Sequence, residues 1–217
     1  MPERGPGYIL RVPFSFGWYR PAALSRRRFV HLEIFLMNYC SKCGALVTLE
    51  IPPGDDRPRY ICRGCGEIHY QNPKIVVGCL PQWEDRILLC RRNIEPQKGM
   101  WTLPAGYLEN GETVSDGARR ETWEESGAMV EDLLPYLLFD VVHVNQIYLM
   151  FRARLQTPEF KTTQESAEVA LLREEEIPWD RIAFRAIENT LRRYFYDRPC
   201  GQFPFRIRRI QKKPAPE

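Results

Sequence analysis

The spacing of apolar and polar residues changes several times along the 217-residue chain, and the changes mark its elements. Leu46-Val-Thr-Leu-Glu-Ile51 and Arg59-Tyr-Ile61 read as short strands, joined by the turn-rich run Pro52–Pro58. Asn72-Pro73 reads as a hinge. Lys74-Ile-Val-Val-Gly-Cys-Leu80 and Arg86-Ile-Leu-Leu-Cys-Arg91 then predict two strands around a polar turn at Gln82–Asp85. The period lengthens over residues 113–126. There Thr113-x-x-Asp116, a capping-box variant, starts a helix, and Gly127 suits its left-handed end. Residues 129–140 and 145–155 return to alternation, as paired strands do. Glu168-Val-Ala-Leu-Leu172 is a further strand, and Ile177-Pro-Trp179 precedes a helix over about 180–197. Strands on both sides of a central helix, with a second helix near the end, predict an α/β protein, an α/β/α sandwich around a mixed sheet.

Composition sharpens this picture at the two ends. Residues 1–36 mix Pro2, Pro6, Pro13 and Pro21 with scattered aromatics and show no period. Arg28 and Glu33 break any secretory core; an organelle transit peptide would fit the arginines and few acids and is the minority reading, since only Ser15 and Ser25 are present. We expect a disordered leader or an over-long start, with Met37 as an alternative first residue. The net charge of +3 is uneven: residues 1–37 hold six Arg and two Glu, so the remainder carries −1. The basicity therefore marks no nucleic-acid partner. Arg206, Arg208, Arg209, Lys212 and Lys213 read as a solvated tail over 201–217. No apolar run approaches the ~20 residues of a membrane span.

Candidate chemistry lies in two places. Within the predicted helix Glu121, Glu124 and Glu125 stand at i, i+3 and i+4 on one face. Clustered carboxylates repel unless a cation sits among them, and Mg²⁺ or Mn²⁺ takes such oxygens together with substrate phosphates. The alternative is a solvated acidic helix. The second place is Cys40-x2-Cys43-x18-Cys62-x2-Cys65, which falls within the zinc-ribbon template. Gly44 and Gly66 follow the two knuckles, where tight turns need φ > 0. Four buried or disulfide-paired thiols are the alternative. Cys79 and Cys90 lie in strand-like runs and read as buried free thiols, which points to a reducing, cytoplasmic setting. The division is then 1–36, a ribbon over 37–72, a catalytic domain over 73–200 and the tail.

Residues 106–128 match the Nudix box, G-x5-E-x7-R-E-U-x-E-E-x-G-U, at every charged and glycine position; Thr122 and Ala128 fill the two U positions. The chain resembles a Nudix hydrolase. That resemblance implies a divalent ion, Mg²⁺ or Mn²⁺, held by Glu121, Glu124 and Glu125, with the Gly106 carbonyl as a further ligand. It implies that Arg120 orients Glu112, and that Glu168, with Glu165 as its neighbour, supplies an additional acid. Trp101, Tyr107 and Tyr148 become candidates for stacking on adenine or flavin, and His143 for touching the substrate.

The ribbon resembles that of the NADH pyrophosphatase branch, where zinc is structural. The phrases Tyr70-Gln-Asn-Pro-Lys74, Trp101-Thr-Leu-Pro-Ala-Gly106 and Glu176-Ile-Pro-Trp179 are similar to a ribbon-bearing set acting on FAD and ADP-ribose. The implied activity is cleavage of FAD, ADP-ribose or NADH-like diphosphates into two monophosphates. Removal of an NAD cap from RNA, cleaning of nucleoside triphosphates and a non-catalytic nucleotide sensor are the rival readings. A homodimer is implied by the family.

Overall fold

The structure is a computed structural model and describes residues 37–211; the leader expected over 1–36 and the last six residues lie outside the described residues. The first unit is a three-stranded antiparallel sheet of β1 (Val47–Glu50), β2 (Arg59–Cys62) and β3 (Ile68–His69), in that order. Only two residues long, β3 leaves no period to read in the sequence. The buried apolar side chains of this unit are Cys40, Pro52, Tyr60 and Cys62. So small a core stabilises little by burial alone, and cross-linking through sulfur has to supply the rest.

The main sheet has eight strands. Its path is β10 (Ser166–Leu172), β5 (Arg86–Arg92), β4 (Lys74–Trp83), β9 (Gln146–Leu155), β8 (Val130–Val141) and β11 (Arg206–Arg209). Two short strands lie off this path: β6 (Trp101–Thr102) pairs with β5, and β7 (Ala105–Tyr107) pairs with β4. The β4/β9 and β8/β11 pairs are parallel and the others antiparallel, so the sheet is mixed. Helix α1 (Val114–Ser126) and helix α2 (Arg185–Asp197) cover opposite faces. Leu80, Leu89, Phe139 and Met150 pack with Ile187, Leu191 and Tyr194 of α2. Val77, Cys79, Leu88 and Cys90 pack with Ala118 of α1. Consecutive strand residues thus enter different cores, which is why these strands read as nearly unbroken apolar runs. Cys79 and Cys90 are buried free thiols, pushed far above the usual range by burial.

The structure corrects the predicted elements in two places. The second helix begins at Arg185 rather than 180, because Pro178 and a 3-10 turn at Trp179–Arg181 precede it. Residues 201–211 are not a solvated tail. Arg206–Arg209 forms β11 and extends the sheet beside β8, and Ile210 is buried. The end of α2 fastens this strand. Asp197, 4% exposed, accepts from Tyr136 Oη at 2.9 Å and from Arg206 at 2.7 Å, and pairs with Arg193 at 3.0 Å. Burial alone would raise its carboxyl, but Tyr136 and the two guanidinium groups outweigh burial and hold it below the usual range.

Candidate active site and zinc centre

The box helix is set at both ends by local chemistry. Thr113 Oγ1 accepts from the Asp116 N–H at 3.2 Å, and Gly127 closes the helix at φ 65°. The stripe of α1 that faces the sheet contains Gly117, Ala118, Glu121, Thr122, Glu125 and Ser126, all buried. Thr122 replaces an aliphatic residue without loss, since its hydroxyl donates to the Ala118 carbonyl at 2.8 Å. Two carboxylates in a core-facing stripe are a different matter. Ionised side chains are almost never fully buried unless something pairs with them.

Arg120 pairs with part of this charge. Its guanidinium grips Glu112 through two bonds, at 3.0 and 2.7 Å, and reaches Glu121 at 2.7 Å and Glu124 at 2.9 Å. It also donates to the Tyr107 carbonyl at 3.0 Å. Glu112 further accepts the Glu109 N–H at 2.7 Å, and Arg120 first, with that amide, holds its carboxyl down at about 2. Glu125 stands outside this network. Its one protein donor among the described residues is the Ala105 N–H, at 3.2 Å. Burial first, then the Glu121 and Glu165 charges, push its carboxyl up to about 8, against the Ala105 amide and Arg92. Glu121 is also raised, chiefly by burial. Glycine at 106 leaves room for this group: a Cβ there would fall on the Glu121 carboxyl.

The other predicted residues separate into two groups. Tyr107, exposed on one face, lies under the Lys74 ammonium at 5.0 Å and accepts from Gln146 Nε2 at 3.0 Å. Half-buried Tyr148 is two residues from Gln146 on the same face of β9, and it is electrostatically coupled to Tyr107. His143 is exposed in the 3-10 turn Val142–Val144 beyond β8. Trp101 is placed away from the others: it is 7% exposed and packs in the α2-side core, and its backbone bridges to Ile182. Glu124 turns outward to Arg120, so only Glu121 and Glu125 lie in the buried stripe.

Glu168 is not with the box acids. Its neighbour Val169 packs in the α1-side core, so Glu168 faces the other side of the sheet, where it pairs with Arg91 at 2.9 Å. Glu165 instead lies close enough to raise both Glu121 and Glu125. The sequence reading named Arg92, Lys74 and Gln146 in no role; nothing in their spacing marks them.

Cys40, Cys43, Cys62 and Cys65 bring their sulfur atoms within 4.8 Å of one another, the one such ligand cluster among the described residues. Sulfur pairs at 3.8 Å (Cys40–Cys65) and 3.4 Å (Cys43–Cys62) are close to the ~3.8 Å edge of a tetrahedron with Zn–S bonds of about 2.3 Å. Gly44 and Gly66 take φ of 74° and 72° in the two knuckles. Amides of Lys42, Gly64 and Cys65 point at Cys40 and Cys62 sulfurs. His69 Nε2 stands 3.3 Å from Cys40 Sγ, a contact no motif announced.

Comparison with known proteins agrees with both halves. The NUDIX domain pattern matches residues 72–195, and the Nudix N-terminal zinc-ribbon pattern matches 38–71. A solved NUDIX hydrolase from Nitrosomonas europaea is 51% identical, covers 81% of this chain and all of its own, and superposes with a TM-score of 0.78. An NAD-capped RNA hydrolase of Chromobacterium violaceum is 30% identical over 125 residues, 58% of this chain and 44% of that protein. An ADP-ribose pyrophosphatase of Methanocaldococcus jannaschii is 40% identical over 58 residues, 27% of this chain and 34% of that protein. The chain spans about half the length of the first two curated relatives it matches, 44% and 48%. With the domain pattern over more than half of its residues, the chain belongs to the Nudix family of hydrolases and carries that family's N-terminal zinc ribbon.

Proposed function

We propose that the protein is a metal-dependent pyrophosphohydrolase that splits the diphosphate bridge of FAD, ADP-ribose or an NADH-like nucleotide into two monophosphates. The observation that carries this reading is the crowding of acids at one point of the fold, which Arg120 offsets only in part. Glu125 is buried with a single amide donor, the Glu121 carboxyl fills the space a side chain at 106 would take, and the Glu165 charge raises both acids further. A hard divalent ion fits this donor set, with Glu121 and Glu125 as ligands and Glu124 and the Gly106 carbonyl beside them. Mg²⁺ or Mn²⁺ bound there supplies positive charge to the bridging phosphates and lowers the pKa of a bound water.

The chain's own groups do the rest. Arg120 keeps Glu112, Glu121 and the Tyr107 carbonyl in one arrangement. In the reaction a water oxygen bonds to one phosphorus, the bridging P–O bond breaks, and the water's proton passes to a carboxylate. Glu165, exposed and with a charge felt by Glu121 and Glu125, is our candidate for that role ahead of Glu168, which pairs with Arg91. Tyr107 and Tyr148 offer ring faces for the base or flavin. Zinc in the ribbon is structural, since four thiolates fill its coordination shell. Among the described residues no helix is long and apolar enough to cross a membrane.

The test is hydrolysis of FAD, ADP-ribose, NADH, dATP and NAD-capped RNA by the full chain with Mg²⁺ or Mn²⁺, products resolved by chromatography. Two monophosphates from at least one dinucleotide are expected. Inert dinucleotides with pyrophosphate released from dATP would overturn the reading. Capped RNA is included because NAD-capped RNA hydrolases are among the relatives.

A further inference from the structure

The segment between β9 and β10 does more than return the chain to the sheet. The last turn of α1, like any helix end, presents carbonyls that have no partner inside the helix. Gly127 N–H donates to the Trp123 carbonyl, and residues 161–163 serve the end of the helix beyond it. The Lys161 N–H donates to the Ser126 carbonyl at 2.8 Å, and the Thr163 hydroxyl donates to the Glu125 carbonyl at 3.3 Å. The Cys90 thiol is a second, weaker donor to the same carbonyl at 3.8 Å. The segment therefore caps the box helix at Glu125, the more buried of the two core-facing acids.

Thr163 serves a second group of atoms as well. A hydroxyl has one proton to give and two lone pairs to receive with. The proton goes to the Glu125 carbonyl, while the oxygen accepts the Glu165 and Ser166 N–H groups, each at 3.2 Å. The Thr163 N–H donates to the Ser166 carbonyl at 3.1 Å, which closes residues 163–166 on themselves. From the other side Asn93, just beyond β5, donates its N–H to the Glu165 carbonyl at 2.7 Å and its side-chain amide to the Gln164 carbonyl at 3.0 Å. Glu165 is thus held through its N–H by Thr163 and through its carbonyl by Asn93, while its side chain stays exposed.

Capping a helix needs only a donor. Here the acceptor side of the same hydroxyl is used too, and on the amide of an acid proposed to work beside Glu125. We infer that Thr163 is a positioning residue: its hydroxyl latches the Glu165 loop to the Glu125 end of the box helix and so sets where the Glu165 carboxylate stands relative to the proposed metal ligands. The inference rests on the reading of Glu165 as the group that takes the water's proton. A base must stand within hydrogen-bond reach of that proton, and a misplacement of about 1 Å is enough to cost much of the rate.

The test compares Thr163→Val, which keeps the shape and removes the hydroxyl, with Thr163→Ser, which keeps the hydroxyl, in the full chain with and without Glu165→Gln. Amide hydrogen exchange followed by ¹⁵N NMR reads the latch directly. The Glu165 and Ser166 amides are expected to exchange about tenfold or more faster in Thr163→Val, and near the parent rate in Thr163→Ser. With ADP-ribose and Mg²⁺, kcat of Thr163→Val is expected to fall about tenfold or more with KM within about threefold of the parent, and Thr163→Ser to recover most of the loss. In the Glu165→Gln background Thr163→Val is expected to change kcat by no more than about threefold, because the group it positions is already gone. Equal losses in both backgrounds, or a Glu165→Gln protein with the parent's kcat, would overturn the positioning role. Unchanged exchange of the Glu165 amide in Thr163→Val would overturn the latch itself. A parent that hydrolyses no dinucleotide would count against the proposed reaction instead, and the exchange comparison still decides the latch. Should Thr163→Val not fold, Thr163→Ala against Thr163→Ser gives the same comparison.

Discussion

Gly106→Ala isolates the contact on which the proposed metal site depends. Gly106 is held by pairing with Val77, and the new methyl would stand closer than 3.0 Å to all three atoms of the Glu121 carboxyl group. Ordinary contact lies at about 3.5 Å, so the carboxyl must retreat by about 1 Å. The obstacle is the far end of a side chain, so the backbone can stay in place. We expect a stability cost of about 1 kcal/mol, or about 2–4 °C in melting temperature for a domain of this size. A 1 Å displacement of a group that positions the reaction costs on the order of 10² in rate. Turnover of ADP-ribose should fall about 100-fold, with the Mg²⁺ titration displaced to higher concentration. The assay is initial rate against Mg²⁺, with a thermal melt of the same sample. A variant that melts normally and keeps turnover within about threefold at limiting Mg²⁺ would refute the placement of Glu121 as a ligand.

Other outcomes follow from neighbouring features. The Glu125 carboxyl is raised from 4.5 to about 8 in the fold, so its contribution to stability is full below about pH 4.5 and is lost as pH rises through about 8. Without Mg²⁺ or Mn²⁺ the protein should therefore melt lower at pH 8.5 than at pH 6. Glu125→Gln keeps an acceptor for the Ala105 amide and should flatten that slope while lowering turnover about 10²–10⁴-fold; parallel pH curves would count against it. Glu165→Gln should reduce turnover at least 10²-fold and Glu168→Gln by no more than about threefold, and the reverse order would return the role to Glu168. Cys40→Ser, Cys43→Ser should bind less zinc and melt lower, yet keep turnover within about tenfold while folded; elemental analysis showing no zinc in the parent would remove the structural site. Asp197→Ala leaves two arginines and Tyr136 facing an empty position and should cost about 3–5 kcal/mol, read as a shifted urea midpoint; a loss under about 1 kcal/mol would show the network to be incidental.

The box helix was legible because everything that defines it is local. Thr113, Asp116, Gly127 and the spacing of Glu121 and Glu125 depend on one helix and its caps. Which side of the sheet Glu168 faces was not legible, and so neither was the proposed preference for Glu165, for a reason the pairing of β10 makes plain. A register shift between Ser166 and Glu168 inserts one residue against β5, so alternation counted from Val169 does not carry across it. Trp101 misled because burial of a two-residue strand is decided by a distant segment, here Ile182 and Ala183. The closing strand was hidden by its own arginines. On an edge strand charged side chains are tolerated and even useful, and they erase the alternation by which strands are recognised.

The parallel pairing of β4 with β9 sets an order of assembly during synthesis. Lys74 lies opposite Gln146, 72 residues later by subtraction (146 − 74), and Ser166 lies opposite Arg92, 74 later (166 − 92). The cysteine cluster closes across 25 residues, from Cys40 to Cys65. A chain emerging from the ribosome at about 5–20 residues per second completes the ribbon several seconds before β9 is available to cover β4. During that interval Val76, Val77 and Leu80 have no partner from β9, while the ribbon can already capture its metal. The ribbon is then a finished head on a nascent chain whose catalytic half still awaits its central strand, so zinc withheld from an in vitro translation should act at that stage, before any active site exists.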